Sequence, residues 1–260
     1  MKKEKPERQL PPREEPKGLL RMFSLLDRDG GKFFKAGVLA FLGLLPYMAA
    51  LALAVSSGSL IFLLACILFG MVAAPGVCAA ADTVMRSQRG EVGWWWWDSY
   101  KTAWKNNARS SLLPGAIAGF VVAAQIWLLY LVARMEDPVL DFWLLFGAAV
   151  LELAVFGYYL PMLVCIELPF PALVRNCFVL FFCHPVRSLL SALVQLVYYG
   201  LILIWFPLTS VIFFATSVWL PLLMSTCILR PVLEKHFHLE EVYEARRKQQ
   251  WENGENEVPL

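Results

Sequence analysis

The chain has 260 residues, of which 58% are hydrophobic and 17% charged, with a mean hydropathy of +0.57. Soluble domains carry about 45–50% apolar and about 25% charged residues, so this composition excludes an ordinary soluble fold and points to lipid as the solvent. The net charge is only +2, and 15 of the 23 Lys and Arg fall in the first 35 or last 31 residues, a distribution that argues against a nucleic-acid partner.

Residues 1–17 read as a polar cytoplasmic arm. The first long apolar run starts too late for a cleaved signal peptide with a short basic start, so the N-terminus is expected to persist. In Gly18–Arg28 the apolar Leu19, Met22, Phe23 and Leu26 recur at helical spacing, while Lys17, Arg21, Ser24 and Arg28 lie off that stripe. That pattern predicts an interfacial helix.

A helix crossing the hydrocarbon core needs about 20 predominantly apolar residues, because lipid offers no partner for open backbone groups. Six stretches meet that length within a membrane domain of residues 18–235: 35–55, 59–81, 111–133, 140–166, 188–206 and 210–229. The break around Phe206-Pro207-Leu208-Thr209-Ser210 carries no charge, which leaves a re-entrant final pair open. The predicted fold class is all-α, a polytopic transmembrane bundle of about six spans with interfacial cytoplasmic helices.

Lys and Arg stay on the cytoplasmic side of short loops. The segments before span one, between two and three, between four and five, and after six hold 10, 5, 2 and 5 of them, and the opposite side only Arg134. An even number of crossings with both termini cytoplasmic follows, with residues 236–260 as a charged tail.

A second surface helix is expected at Trp94–Arg109. Its Trp97, Tyr100 and Trp104 form one stripe and Asp98, Lys101, Lys105 and Arg109 the stripe beside it; aromatic residues suit the headgroup region and basic ones suit anionic lipid. The bilayer is thus the first expected partner. Asn107, at the end of this helix, is placed to cap the next span or bond its backbone, and Arg109 to anchor on lipid phosphate.

The even spans share an order of aromatic, small residue, proline, cysteine and arginine: Phe69-Gly70, Pro75, Cys78, Arg86; Phe156-Gly157, Pro161, Cys165, Arg175; Phe214-Ala215, Pro221, Cys227, Arg230. The odd spans open on Lys35, Arg109 and Arg187, the last two followed by Ser-Ser-Leu-Leu and Ser-Leu-Leu. Three related hairpins would produce both patterns, although prolines and basic ends are common in spanning helices in any case.

Glu152 is the leading chemical candidate, since a carboxylate near the middle of a span costs about 2.5–3.5 kcal/mol on insertion scales. Gln195 is expected at a similar depth and Gln125 nearer the outer face. Together the three form a candidate substrate-binding set, with a plain Glu152–Gln195 hydrogen bond as the structural alternative.

Catalytic motifs fail on their spacing. Asp27-Arg28-Asp29-Gly30 opens like a calcium loop but places Val38 where a bidentate Glu is required, and Gly31-Lys32 is preceded by Leu26 where a phosphate loop needs glycine. Cys177, Cys183 and His184, like Glu234, His236, His238 and Glu240, match no standard metal spacing. The six cysteines, at 66, 78, 165, 177, 183 and 227, read as small, reduced, buried residues. No catalytic residue, cofactor or metal is therefore expected.

The run from Ala73 to Leu113 combines Ala-Ala-Pro-Gly-Val-Cys-Ala-Ala-Ala, the basic stretch Met85-Arg86-Ser87-Gln88-Arg89-Gly90-Glu91, and Tyr100-x-x-x-Trp104-Lys105-x-Asn107-x-Arg109-Ser110-Ser111-Leu112. It resembles the YesL family of bacterial membrane proteins, with a looser likeness over residues 18–235. The four tryptophans at 94–97, the long polar arm and the tail after Glu240 depart from that pattern. The resemblance implies a multi-pass protein of the bacterial cytoplasmic membrane, accessory to carbohydrate uptake, with a carbohydrate permease among its partners. From the residues themselves, two functions stand: a transport-associated component acting around Glu152, or a scaffold that docks a cytoplasmic partner on Trp94–Arg109.

Overall fold

The computed structural model describes residues 19–89, 95–166, 168–205 and 207–238; 90% of these are helical and none is in a strand. The polar arm 1–17, Gly18, Trp94, Phe206 and the tail from residue 239, with Glu240, lie outside the described residues. Eight helices follow in order: α1 (Leu19–Ser57), α2 (Leu60–Gln88), α3 (Trp96–Val132), α4 (Val139–Cys165), α5 (Phe170–Cys183), α6 (Pro185–Ile204), α7 (Ser210–Thr216) and α8 (Trp219–Phe237). Five are long and apolar enough to cross a membrane, and the α7–α8 pair, bent by 57°, makes a sixth if it counts as one span. By length and composition these are the helices of a multi-pass membrane protein. Their outward faces carry Leu60, Ile61, Leu64 and Leu68 on α2 and Phe142, Trp143, Leu144 and Leu151 on α4, all exposed, as a lipid solvent requires.

The two expected surface helices are not separate elements. Each is the leading part of a long helix that runs on into its span, so the boundaries expected near residues 35 and 111 do not exist as breaks. At about 1.5 Å per residue, the 39 residues of α1 and 37 of α3 reach well beyond a hydrocarbon core of about 30 Å. Helix α1 passes through Gly30-Gly31 because both flanks are packed: Leu25 and Phe33 lie in one buried cluster with Val84 and Leu223, and Ala36 in the next. Burial on both sides outweighs a penalty of about 1 kcal/mol for each interior glycine. In α3 the polar side chains at the join bond backwards along their own helix, Asn107 to the Ala103 carbonyl (2.9 Å) and Ser110 to that of Asn107 (3.2 Å), so they find partners without breaking it.

Helix α5 was not legible as an element. Its 14 residues are too few to span, and Arg175-Asn176 interrupts the apolar run. It is nevertheless well packed, with Leu173, Cys177 and Leu180 buried against α4 and α8 residues. His184-Pro185 separates it from α6: Pro185 has no N–H, and its ring would meet the carbonyl one turn back.

Helices α2, α4 and α8 pack against one another in the centre. Outside them, α1 lies against α2 and α8, α3 against α2 and α4, and α6 against α4 and α8, which gives the three expected hairpins a threefold contact pattern. Contacts of α1 with α3 and with α7 depart from it. Small residues set the closest approaches. At the α2–α3 seam a Cβ added to Gly70 would lie 2.5 Å from the Gly115 carbonyl oxygen, and one added to Gly119 would lie 2.8 Å from that of Cys66. Gly115 and Gly119 are four apart, the spacing that lets membrane helices bring their backbones together. Tyr47 of α1 closes the seam by donating to the Gly119 carbonyl (2.9 Å).

The bend between α7 and α8 has a local cause. Pro221 cannot donate to the carbonyl of Ser217, one turn earlier, and its ring crowds that carbonyl. The Tyr199 hydroxyl donates to it instead (3.3 Å), and Tyr198 pairs with Thr216 (2.7 Å). A span interrupted by proline is thus held by hydroxyls of the neighbouring helix, as backbone freed in an apolar medium demands.

Candidate functional site

Three places in the bundle concentrate chemistry. The first is a polar cluster where the start of α1, the end of α2 and the middle of α8 meet. The buried Asp29 carboxylate accepts from Ser87 Oγ (2.6 Å) and Arg28 Nε (2.8 Å) and pairs with Lys32 Nζ (2.9 Å). The last carbonyls of α2 have no partner within their own helix. Those of Ser87 and Gln88 accept from Arg28 (2.5 Å) and Arg21 (2.8 Å), so α1 caps α2 with two guanidinium groups.

Asp82, also buried, pairs with Arg86 (2.6 Å) and more distantly with Arg89 (3.7 Å), while Gln88 donates to Thr226 of α8 (2.5 Å). These carboxylates already hold cations at contact distance, an arrangement that locks three helices rather than opening a site. Sequence reasoning missed it, and ended span two at residue 81, one short of Asp82. The available signal was Asp82 placed one helical turn before Arg86, inside an apolar run.

The second place is the leading part of α3. Tyr100 and Ala103 are buried on Ala36 and Ala40 of α1 and Ala79 and Ala80 of α2. The expected aromatic stripe is therefore split: Tyr100 faces inward, whereas Trp97 and Trp104 stay 46% and 44% exposed. Lys101 and Lys105 are exposed beside them; Lys101 pairs with Asp98 (2.8 Å) and lies 5.5 Å from the Trp97 ring centre. Between this face and Leu39, Gly43, Val72 and Gly76 runs a groove of about 310 Å3. Asn107 is spent on its own helix, and Arg109 is exposed.

The third place surrounds Glu152. The structure does not bring Glu152, Gln125 and Gln195 together. Gln125 Nε2 donates to the Leu145 carbonyl of α4 (2.7 Å) and Gln195 Nε2 to that of Leu153 (3.2 Å), with Ser225 Oγ at 3.4 Å, so each glutamine stitches an outer helix to α4. The alternative of a Glu152–Gln195 hydrogen bond is not observed either. Glu152 is half-buried at an apolar groove of about 250 Å3 between α3, α4 and α5. Among the described residues it has neither a hydrogen-bond nor an ion-pair partner.

His184 and His236 meet ring to ring, Nε2 to Nε2 at 2.9 Å, while no three His, Cys, Asp or Glu side chains gather as metal ligands among the described residues. None of the six cysteines is in a disulfide; Cys66, Cys78, Cys165 and Cys177 are buried, Cys227 partly so, and Cys183 is exposed, against the expectation of burial for all six. No protein-family model, no curated protein and no solved structure matches the chain.

Proposed function

We propose that the chain is a membrane scaffold that presents the leading part of α3 to an acidic segment of a cytoplasmic partner. The carrying observation is that this basic and aromatic face is mounted rigidly: Tyr100 and Ala103 clamp it to α1 and α2, it is continuous with its span, and Trp97, Lys101, Trp104 and Lys105 project from it. Aromatic side chains on a fixed support are usual material of a docking surface, and the lysines beside them add electrostatic complementarity to an acidic partner. The strong Lys and Arg asymmetry supports a cytoplasmic-membrane location with both termini inside.

The test is site-specific photocrosslinking in native membranes from position 104, in otherwise wild-type protein and in K101E/K105E. A discrete protein adduct that is lost on charge reversal supports docking. Equal adducts in both, or lipid adducts alone, overturn it.

A second reading, a component accessory to carbohydrate uptake with a permease as partner, draws on the resemblance of residues 73–113. It predicts that a permease co-purifies with the detergent-solubilised protein, and recovery of the protein without any transporter counts against it.

A further inference from the structure

The groove beside the leading part of α3 joins apolar walls to donors that have no partner. Leu39 and Gly43 of α1 and Val72, Ala73 and Gly76 of α2 form the walls, all on helices long and apolar enough to cross a membrane, and α3 closes the groove with its aromatic and basic side chains. The two lysines there are not equivalent. Lys101 pairs with Asp98, whereas Lys105 has no ion-pair or hydrogen-bond partner among the described residues.

Tyr100 is only 6% exposed, yet its hydroxyl has no hydrogen-bond partner among the described residues either and, unlike that of Tyr159, is not sealed off. It reaches the groove at Gly76, where an added Cβ would lie 3.8 Å from the hydroxyl oxygen. Buried hydroxyls are satisfied in the great majority of native structures, so an open one at a groove marks a partner that the chain does not itself supply. Lys105 offers a charged donor and Tyr100 a neutral one, and an anionic oxygen satisfies both. The walls call for hydrocarbon. The half-exposed indoles of Trp97 and Trp104 on the rim are of the kind that settles at the headgroup level of a bilayer.

We propose that this groove holds one anionic phospholipid, with its phosphate oxygens against the Lys105 ammonium and the Tyr100 hydroxyl and the upper part of one acyl chain along Gly43, Val72 and Ala73. Basic pockets between membrane helices take lipid headgroups in this way. A volume of about 310 Å3 encloses part of one chain and leaves the other in the bilayer. An acidic peptide on the exposed face of α3, or a soluble phosphate, leaves the apolar walls uncovered. A bound lipid shares Lys105 with the docking face and competes with the acidic segment there; that consequence alone rests on the docking reading, because the lipid site is measured on the isolated chain.

The test is native mass spectrometry of the purified, delipidated full chain in detergent, titrated with dioleoyl phosphatidylglycerol or with phosphatidylcholine of the same chains. Wild type is expected to bind one phosphatidylglycerol about fivefold more tightly than phosphatidylcholine, the order of a single lysine contact with an anionic headgroup. Lys105→Gln removes that preference by weakening phosphatidylglycerol while phosphatidylcholine is unchanged, and Tyr100→Phe weakens phosphatidylglycerol several-fold. Val72→Phe, at an exposed position on the wall, narrows the groove and weakens both lipids at an unchanged thermal midpoint. Arg134→Gln removes the same charge beyond the far end of α3 and leaves the preference intact.

Equal binding of the two lipids by wild type, unchanged phosphatidylglycerol binding by Lys105→Gln or Val72→Phe, or an equal loss in Arg134→Gln overturns the proposal. Displacement of phosphatidylglycerol by glycerol phosphate, the headgroup without its chains, also overturns it and assigns the two donors to a soluble anion.

Discussion

The Ser87 hydroxyl donates a 2.6 Å hydrogen bond to the Asp29 carboxylate and so ties α1 to the last turn of α2 across 58 residues. It sits at the centre of the only buried carboxylate cluster in which three cationic or hydroxyl donors from two helices converge among the described residues: Ser87, Arg28 and Lys32 all reach Asp29. Removing the acceptor leaves each of them short of a partner. Asp29→Ala is expected to lower stability by about 1–3 kcal/mol, because Arg28 and Lys32 are partly exposed and regain water, whereas Ser87→Ala costs about 1 kcal/mol. Thermal unfolding in detergent should rank them wild type, then Ser87→Ala, then Asp29→Ala. Equal midpoints would show that the cluster does not contribute to holding α1 on α2.

The α7–α8 bend yields a paired prediction. Tyr199→Phe leaves the Ser217 carbonyl without its donor and should cost about 1 kcal/mol. Pro221→Ala restores an N–H that can reach the same carbonyl, so in that background Tyr199→Phe should cost less. A double-mutant cycle on the unfolding midpoint measures the difference; additive effects would mean that Tyr199 and Pro221 do not act on one carbonyl.

Backbone proximity at the α2–α3 seam makes Gly119 intolerant of any side chain. Its added Cβ would press on the Cys66 carbonyl at 2.8 Å and the Gly70 Cα at 3.0 Å, both backbone atoms that cannot swing away. Gly119→Ala should destabilise by about 1–3 kcal/mol, the usual cost of overpacking. Gly147 in α4 has nothing within 4 Å of the same position, so Gly147→Ala should be neutral or slightly stabilising. Comparable losses in both variants would contradict the close approach.

Between α5 and α6, partial burial of the His184 ring, and then the neighbouring His236, Lys235 and Arg187 charges, hold its pKa below the ordinary histidine value. The folded state therefore binds fewer protons here than the unfolded one, and stability falls as pH drops below about 6.5. The His184–His236 bond needs one ring nitrogen as acceptor and the other as donor. The unfolding midpoint of wild type should decline between pH 7 and pH 5 more steeply than that of His184→Phe. Parallel curves would assign the pH dependence to other groups.

The threefold contact pattern shows where local reasoning succeeds. Each unit has a leading stretch, an outer apolar helix and an inner one, and the apolar parts of α1, α2, α3 and α4 could all be located from apolar length alone. The third unit was harder, because Pro185 cuts its outer helix and Pro221 bends its inner one, leaving fragments of 14, 20, 7 and 19 residues. Length rules lose force when a proline divides the run. The fusion of surface helices with their spans was likewise hidden, since the interval between Arg28 and the expected span start at Lys35 is held helical by packing on either flank.

By itself the sequence determined that the chain is all-helical, which stretches are long and apolar enough to cross a membrane, and how unevenly the basic residues are distributed along it. Those properties are sums over neighbouring residues: apolar length, charge count and backbone satisfaction within a helix. Only the tertiary structure decided the partners of the polar side chains. Gln125 and Gln195 turned to α4 carbonyls, Asp29 and Asp82 found cations at contact distance, and Glu152 was left half-buried at an apolar groove between α3, α4 and α5. Which residues meet depends on the rotation of each helix about its axis and on which helices are neighbours, and small residues such as Gly70, Gly115 and Gly119 set those by allowing backbones to touch. Such contacts join residues far apart in the chain, and no local pattern carries them.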